Sequence, residues 1–357
     1  MNNRIRYLDG LRGIAILGVL FFHAFSRWGS VETFKQANLF IDSFSFGHLG
    51  VNLFFAISGY VIYMSLFKST NIMMFGFSRY LRLAPAMLLA STIIYLTSFY
   101  ITERPMGVAN IIDLLPSLTF MDPNFLTGVT GLNVRSLDGA FWSIYVEVKF
   151  YIIAAILFYL FRDKSLFGLI VLYMCSLVTV ILIKIIGIDN TYLIFFYKGF
   201  RYIGVSYYGW FLIGIWAYKY SSEATIRNFF MVLLFTLVAV LETGDVAMII
   251  ASSVTAALFV LPLIFKKTQD VLSSSFLRFF GFISYPLYLV HQNIVTGMAI
   301  KLHNYYPDLP GFVYPIPFII LVIIVSYLLV RIEPRIKNII RSATPNTFLG
   351  HKLHRTV

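Results

Sequence analysis

Residues 6–23 read Arg6-Tyr-Leu-Asp-Gly-Leu-Arg-Gly-Ile-Ala-Ile-Leu-Gly-Val-Leu-Phe-Phe-His23 and carry ionisable groups into an otherwise apolar stretch. On a helix with about 100° and 1.5 Å per residue, Arg12 and His23 project within roughly 20° of each other and about 16 Å apart. Asp9 lies three residues before Arg12 and can join the same face. A signal anchor explains the basic residues, but a histidine halfway through a hydrocarbon layer about 30 Å thick requires a polar partner or a wet cavity.

The composition places this stretch in a membrane protein. The 357 residues are 59% hydrophobic, 18% aromatic and only 12% charged, which is too apolar for a soluble protein of this size. We therefore expect an all-α fold, a polytopic membrane helical bundle. The net charge of +12 does not indicate a nucleic-acid partner, because the basic residues lie between apolar runs. The single cysteine, Cys175, excludes an intramolecular disulfide, and we expect no metal site.

Ten apolar runs can cross a bilayer when their flanks are included. Alternating crossings from a cytoplasmic N-terminus place most of the 28 Lys and Arg residues inside, as the positive-inside rule requires. Both termini are therefore expected in the cytoplasm. The runs are 11–25, 48–67, 85–101, 142–161, 166–186, 203–218, 226–241, 246–265, 279–300 and 313–331.

The domain organisation is simple. We expect one membrane domain over residues 1–341 and a polar cytoplasmic tail over residues 342–357. The longest connection, 102–141, contains an apolar segment, 111–120, that is too short to span and could be re-entrant, interfacial or a lid. The absence of an internal repeat weakens the case for a transporter built from inverted halves.

Two blocks near the second and third runs carry small or basic residues. Ser58-Gly59 allows a second backbone to approach closely, or else lines a cavity for a ligand arm. Arg79 and Arg82 are expected to end a cytoplasmic loop, with Pro85 in the first turn of the third helix. Two guanidiniums beside free helical N–H groups would receive a phosphate. Positive-inside anchoring is the alternative explanation.

A buried carboxylate occurs in the fourth run. Glu147 and Tyr151 are one helical turn apart and can share a hydrogen bond. An unpaired charge at this depth costs roughly 2.5 to 3.5 kcal/mol, so Glu147 needs a partner, for which Arg12, His23 and His291 are the candidates. A purely structural ion pair would satisfy the same requirement.

The ninth run contains a second polar stripe. Ser284, Tyr288 and His291 follow one another at spacings of four and three, and so share a helix face. By itself this pattern fits a hydrogen-bonded bundle histidine as well as a catalytic one.

Taken in order, these blocks resemble the acyltransferase family 3 membrane acyltransferases, which O-acylate bacterial surface polysaccharides and related glycans. The resemblance covers nearly the whole chain and indicates a stand-alone form without an SGNH domain. It rests on five motifs, namely Arg12 and His23 separated by ten residues, Phe-Phe-x-x-Ser-Gly-Tyr, Arg-x-x-Arg, Trp-Ser-x-x-Val-Glu-x-x-Phe-Tyr and Ile-Ser-Tyr-x-Leu-Tyr-Leu-x-His.

The resemblance implies an enzyme of the bacterial inner membrane that uses an acyl-CoA, most simply acetyl-CoA, as co-substrate and has no tightly bound cofactor. Its acceptor would be a hydroxyl of a glycan or lipid-linked oligosaccharide. The residues that it implicates are the essential pair Arg12 and His23, the donor-binding pair Arg79 and Arg82, and a polar centre that includes Glu147. We add Asp9 to the catalytic residues, which also include Glu147, Ser58 to the donor-binding residues, and Tyr151, Tyr288 and His291 to the polar centre.

Two mechanisms suit these residues. Neutral His23 could remove the proton from the acceptor hydroxyl, with Asp9 or Glu147 orienting its ring, or it could carry the acyl group itself. We expect Glu147 ahead of His291 as the partner of His23. A transporter or flippase of a lipid-linked glycan, with no acyl transfer, is the rival interpretation.

Overall fold

The computed structural model describes residues 5–28, 43–186 and 190–344, and within these ranges the chain forms helices and no strand. The helices are α1 (Arg6–Phe21), α2 (Gly50–Lys68), α3 (Ile72–Thr97), α4 (Leu114–Thr119), α5 (Pro123–Thr130), α6 (Trp142–Phe161), α7 (Ser165–Ile186), α8 (Thr191–Tyr202), α9 (Tyr208–Ser222), α10 (Ile226–Leu241), α11 (Val246–Ile264), α12 (Lys266–Leu272), α13 (Ser275–Tyr305) and α14 (Ile316–Ala343). The expected all-α fold is confirmed.

Each of the ten expected crossings coincides with a helix of the described chain, namely α1, α2, α3, α6, α7, α9, α10, α11, α13 and α14. Within the described ranges, six continuous segments are long and apolar enough to cross a membrane by themselves. One of these, Gly139–Ile186, contains both α6 and α7. The six segments are Arg6–Ser26, Ser45–Lys68, Ile72–Thr97, Gly139–Ile186, Val246–Ile264 and Ile316–Ala343.

The third helix differs from the expectation. It begins at Ile72, so Pro85 lies inside the helix and not in its first turn. Proline has no N–H, and the bond that residue 85 would make to the carbonyl of Leu81 is therefore missing. Arg79 and Arg82 lie about two and three turns into α3, away from the free N–H groups at its start. The expectation that the two arginines lie beside the free N–H groups of a helix start was therefore wrong.

The connection 102–141 is ordered by one ion pair and by hydrogen bonds of buried side chains. Arg104 is 5% exposed and donates to the carbonyls of Gly107 and Ile94. Asp113 is 2% exposed and pairs with the Arg135 guanidinium at 3.0 Å. The apolar segment 111–120 forms a short helical turn followed by α4, and it does not span.

The chain divides into two compact units, which we call the terminal and the central unit. The terminal unit comprises Met1–Val51, Ser78–Tyr145 and Lys267–Val357, and the central unit comprises Asn52–Phe77 and Val146–Lys266. Most of the expected tail, 342–357, lies outside the described residues.

In the terminal unit, α1 and α3 both run parallel to α13. Early in α1, the backbone of Asp9 touches Gly281, and farther along His23 contacts His291. The Tyr285 hydroxyl donates to the Leu83 carbonyl of α3 at 3.2 Å, and Gly297 lies against Ile101 just after α3 ends. Ten alternating crossings require this arrangement, because they give the first, third and ninth helices the same direction.

The last helix returns antiparallel to α13. The ring centroids of Phe279 and Tyr327 are 6.3 Å apart near one end, and those of His303 and Tyr314 are 5.0 Å apart near the other. The start of α1 and the end of α14 therefore lie at the same end of the terminal unit. This agrees with the expectation that both termini are on one side of the membrane.

In the central unit, α2 runs parallel to both α6 and α9. Ser58 and Phe67 of α2 contact Glu147 and Phe158 of α6 in the same order. Phe55 contacts Tyr207 just before α9, and farther along both chains Tyr60 contacts Tyr218 of α9, with ring centroids 5.4 Å apart. Gly59 and Gly214 allow the two backbones to touch, so the close-approach explanation of Ser58-Gly59 is confirmed.

Gly281→Ala should destabilise the protein, because its added methyl group would overlap the carbonyl oxygen of Asp9. We expect a loss of about 1 to 3 kcal/mol in unfolding free energy, the usual cost of overpacking. Gly76→Ala is the matched control, since its methyl group would meet open space within α3. It should raise stability by up to about 1 kcal/mol through helix propensity. Thermal unfolding in detergent measures both, and a Gly281→Ala variant as stable as wild type would contradict the packing described.

Candidate active site

His23 lies where α1 changes its hydrogen-bonding pattern. The helix continues beyond Phe21 as a π-helical turn over Phe22–Ser26, a feature frequent at functional sites. The Nδ1 atom of His23 is 2.9 Å from the Val19 carbonyl oxygen and 3.2 Å from Nε2 of His291. The two imidazole rings meet edge to face with centroids 4.8 Å apart.

The carbonyl oxygens around the two rings determine where their protons lie. Nδ1 of His291 is 2.8 Å from the Tyr288 carbonyl, and a carbonyl can only accept, so Nδ1 of His291 carries a proton. The same argument at Val19 puts a proton on Nδ1 of His23. Nε2 of His291 must then accept from His23, and His291 is neutral. In the neutral form of His23, the lone pair is on Nε2, where a general base needs it.

This geometry reverses the expected order of partners for His23. His291, which is fully buried, is in contact with the ring, whereas Glu147 was expected first. Asp9 cannot orient the ring either, because fourteen residues of helix separate the two side chains by about 21 Å. The Val19 carbonyl and His291 hold the His23 ring instead.

Arg12 and Asp9 form an ion pair one turn apart on α1. The Arg12 Nη1 atom is 3.0 Å from Oδ1 of Asp9, and the two side chains are 20% and 5% exposed. The carboxylate therefore positions the guanidinium on the face of α1 that also carries His23.

A second set of contacts fixes the start of α6 against α13, and the sequence analysis missed it. Asp138 is fully buried and accepts from the backbone N–H groups of Ala140 at 2.8 Å and Asn293 at 3.2 Å. Burial raises the pKa of this carboxyl to about 6. Asn293 also donates to the Leu137 carbonyl at 2.8 Å. The sequence signal was available, since Asp138 precedes Trp142 of the Trp-Ser motif by four residues and Asn293 follows His291 by two.

Tyr288 contributes to the same junction. Its hydroxyl donates to the Ala140 carbonyl at 2.8 Å and lies 2.7 Å from the Ser143 hydroxyl. Ser284 uses its own hydroxyl on the Gly281 carbonyl. The expected polar stripe is thus buried, and its His291 member is in contact with His23.

Glu147 lies in a polar cluster of the central unit. Its Oε1 atom accepts hydrogen bonds from the hydroxyls of Ser58 and Tyr151, both at 2.5 Å. The expected pairing with Tyr151 is confirmed, and Ser58 is a partner that was expected to bind the donor. Lys149 faces elsewhere and donates to the Tyr202 carbonyl at 2.7 Å.

Arg79 and Arg82 face charged residues of α14. Glu333 interacts electrostatically with Arg82, and Lys337 interacts with both arginines. Arg82 is exposed, whereas Arg79, Glu333 and Lys337 are partly buried. The two arginines therefore belong to a larger charged group at the end of the terminal unit that holds the start of α13.

Long apolar helices that enclose ionisable residues define a multi-pass membrane protein with a polar centre inside its helices. A family model described as an acyltransferase domain, that of acyltransferase family 3, matches residues 5–331. This is nearly the whole chain, so the protein belongs to acyltransferase family 3 and is a membrane acyltransferase. Searches of curated proteins and of solved structures find no significant match.

Proposed function

We propose that this protein transfers an acyl group, most simply acetyl, from acetyl-CoA to a hydroxyl of a surface glycan or lipid-linked oligosaccharide in the bacterial inner membrane. The observation that carries the proposal is His23, whose Nδ1 atom is held by Val19 and His291. That arrangement leaves Nε2 as the basic nitrogen of the neutral ring. It occurs within the part of the chain that matches an acyltransferase family.

The donor enters from the end of the terminal unit at which Arg79 and Arg82 lie. The phosphates of CoA cannot enter hydrocarbon, so they remain at this end, where guanidiniums bind them. Leu83 is level with Tyr285, and His291 lies six residues farther along the parallel α13. Arg79 and Arg82 are thus roughly 10 to 15 Å below the histidine pair along the bundle axis. The extended pantetheine arm of CoA can bridge this distance.

The transfer step uses the free nitrogen of His23. Nε2 takes the proton of the acceptor hydroxyl while the hydroxyl oxygen attacks the thioester carbonyl carbon, forming the new C–O bond. The C–S bond then breaks, and the CoA thiolate leaves and takes the proton back from His23. The products are the ester and CoA thiol, and His23 is again neutral. Between these two steps His23 is an imidazolium that donates from Nδ1 to His291. His291 thus takes the place that the carboxylate has in a serine-protease triad.

Arg12 supports the donor end of this path. Its guanidinium is on the His23 face of α1 and is held by Asp9, so it is positioned to meet a phosphate or the polar amides of the pantetheine arm.

Acyl transfer is tested with the purified protein in nanodiscs, acetyl-CoA labelled in its acetyl group, and an isolated lipid-linked glycan. We expect label in the glycan and an equal amount of free CoA thiol. A flippase would move the glycan across the bilayer without any thioester and without label in the product. Glycan movement that persists when acetyl-CoA is withheld, with no label transferred, would reject the proposed activity in favour of transport.

A further inference from the structure

The last turns of α14 carry charged residues that interact with Arg79 and Arg82, the two arginines proposed to bind the acyl donor. Glu333, Lys337 and Arg341 follow one another at spacings of four, so they share one side of the helix. Lys337 interacts electrostatically with Arg79, Arg82 and Arg341, and Glu333 interacts with Arg82. Four cations and one carboxylate therefore lie together. All three residues of α14 lie beyond residue 331, where the match to the acyltransferase family ends.

Packing contacts hold these two helices in place. The Tyr285 hydroxyl bonds the carbonyl of Leu83, the residue after Arg82, and so fixes α3 against α13. Phe279 packs on Tyr327 and fixes α14 against the same helix. The cations thus meet on a scaffold of three packed helices, and not on a loop.

An excess of like charge at one place destabilises the folded protein unless an anion neutralises it. Arg82 and Arg341 are exposed, so an anion can reach them from solvent, and Lys337 is half-buried. Arginine binds phosphate with paired N–H groups, and lysine adds a compact point charge. Glu333 interacts electrostatically with Arg82 of α3 and Lys337 of α14, so it can hold these two cations in position when no anion is bound.

We propose that Lys337 and Arg341 join Arg79 and Arg82 in one site for the phosphate groups of the nucleotide end of the acyl donor. This inference rests on the proposed function, because it assumes a phosphate-bearing thioester as donor. It assigns a binding role to the extension of α14, which the family resemblance does not cover. An anionic lipid headgroup presents the same phosphate chemistry, and the test separates the two sources.

The test measures the affinity of CoA itself, by calorimetry, for the full chain in nanodiscs of phosphatidylcholine alone. Lys337→Gln and Arg341→Gln should each weaken CoA binding by roughly tenfold, the loss of one charge-assisted contact. Arg335→Gln is the matched control, because it removes a charge from an exposed position on a different side of the same helix. It should bind CoA as wild type does. The affinity of wild type should also fall with added salt, and less so for the two variants.

CoA affinities for Lys337→Gln and Arg341→Gln equal to that of Arg335→Gln would overturn the inference, and acyl transfer in the same preparations would show that the proposed function still holds. In nanodiscs with anionic lipid, variants that lose bound lipid but keep their CoA affinity would assign the cluster to headgroups and also overturn it. A wild-type protein that neither binds CoA nor transfers an acyl group would reject the proposed function itself, and this inference with it.

Discussion

His23→Ala is expected to lower kcat for acyl transfer by about 10³-fold, within the range that a general base contributes. The substitution removes the nitrogen that accepts the hydroxyl proton. It leaves Arg79 and Arg82 in place, so the KM for acetyl-CoA should change little. The assay is release of CoA thiol by the purified variant in nanodiscs.

His303→Gln is the matched control for this prediction. It also removes an imidazole from the terminal unit, but one that packs against Tyr314 at the far end of α13. It should keep nearly full activity. Transfer by His23→Ala within tenfold of wild type, in protein with an unchanged melting temperature, would rule out His23 as the base.

The same preparation distinguishes the two mechanisms for His23. When labelled acetyl-CoA is supplied without acceptor, a histidine that carries the acyl group accumulates a labelled adduct, and the peptide containing His23 gains mass. General-base catalysis leaves the peptide unlabelled. We expect the unlabelled result, because Nδ1 of His23 is hydrogen-bonded to His291, which supports a positive charge on the His23 ring as Nε2 takes the proton.

The crossings could be predicted because the signal for them is local. A run of apolar residues identifies a membrane helix without any knowledge of its neighbours, and the ten predicted runs all became helices. The shared face of Arg12 and His23 follows from helix periodicity alone. Even the direction of the helices followed from counting the runs, as the parallel packing of α1 on α13 illustrates.

Tertiary contacts were much harder to predict. The contact between His23 and His291 joins residues 268 positions apart, and it depends on α1 and α13 touching at Gly13 and Gly281. Neither glycine identifies its partner. The start of α3 was missed for a different reason, because Pro85 fits the first turn of a helix and also occurs inside one. The apolar residues 72–77 before Arg79 were the available evidence for an earlier start.

His291→Leu is expected to lower kcat by roughly 10- to 100-fold, which is less than the loss from removing the base itself. Leucine fills the buried space but cannot accept the Nδ1 proton of His23. The Val19 carbonyl still accepts that proton, so the productive tautomer survives and part of the activity remains. Because His291 positions His23 and does not touch the donor phosphates, the KM for acetyl-CoA should stay within about twofold.

His291→Gln separates positioning from packing. The amide oxygen of glutamine can accept from Nδ1 of His23 at a reach similar to that of the histidine Nε2, so this variant should recover most of the kcat lost in His291→Leu. A purely structural role predicts the opposite order, since leucine suits an apolar interior better than an amide does. Wild-type kcat in His291→Leu would therefore remove His291 from the mechanism. So would equal losses in the two variants at matched melting temperatures, because glutamine can accept the Nδ1 proton of His23 and leucine cannot.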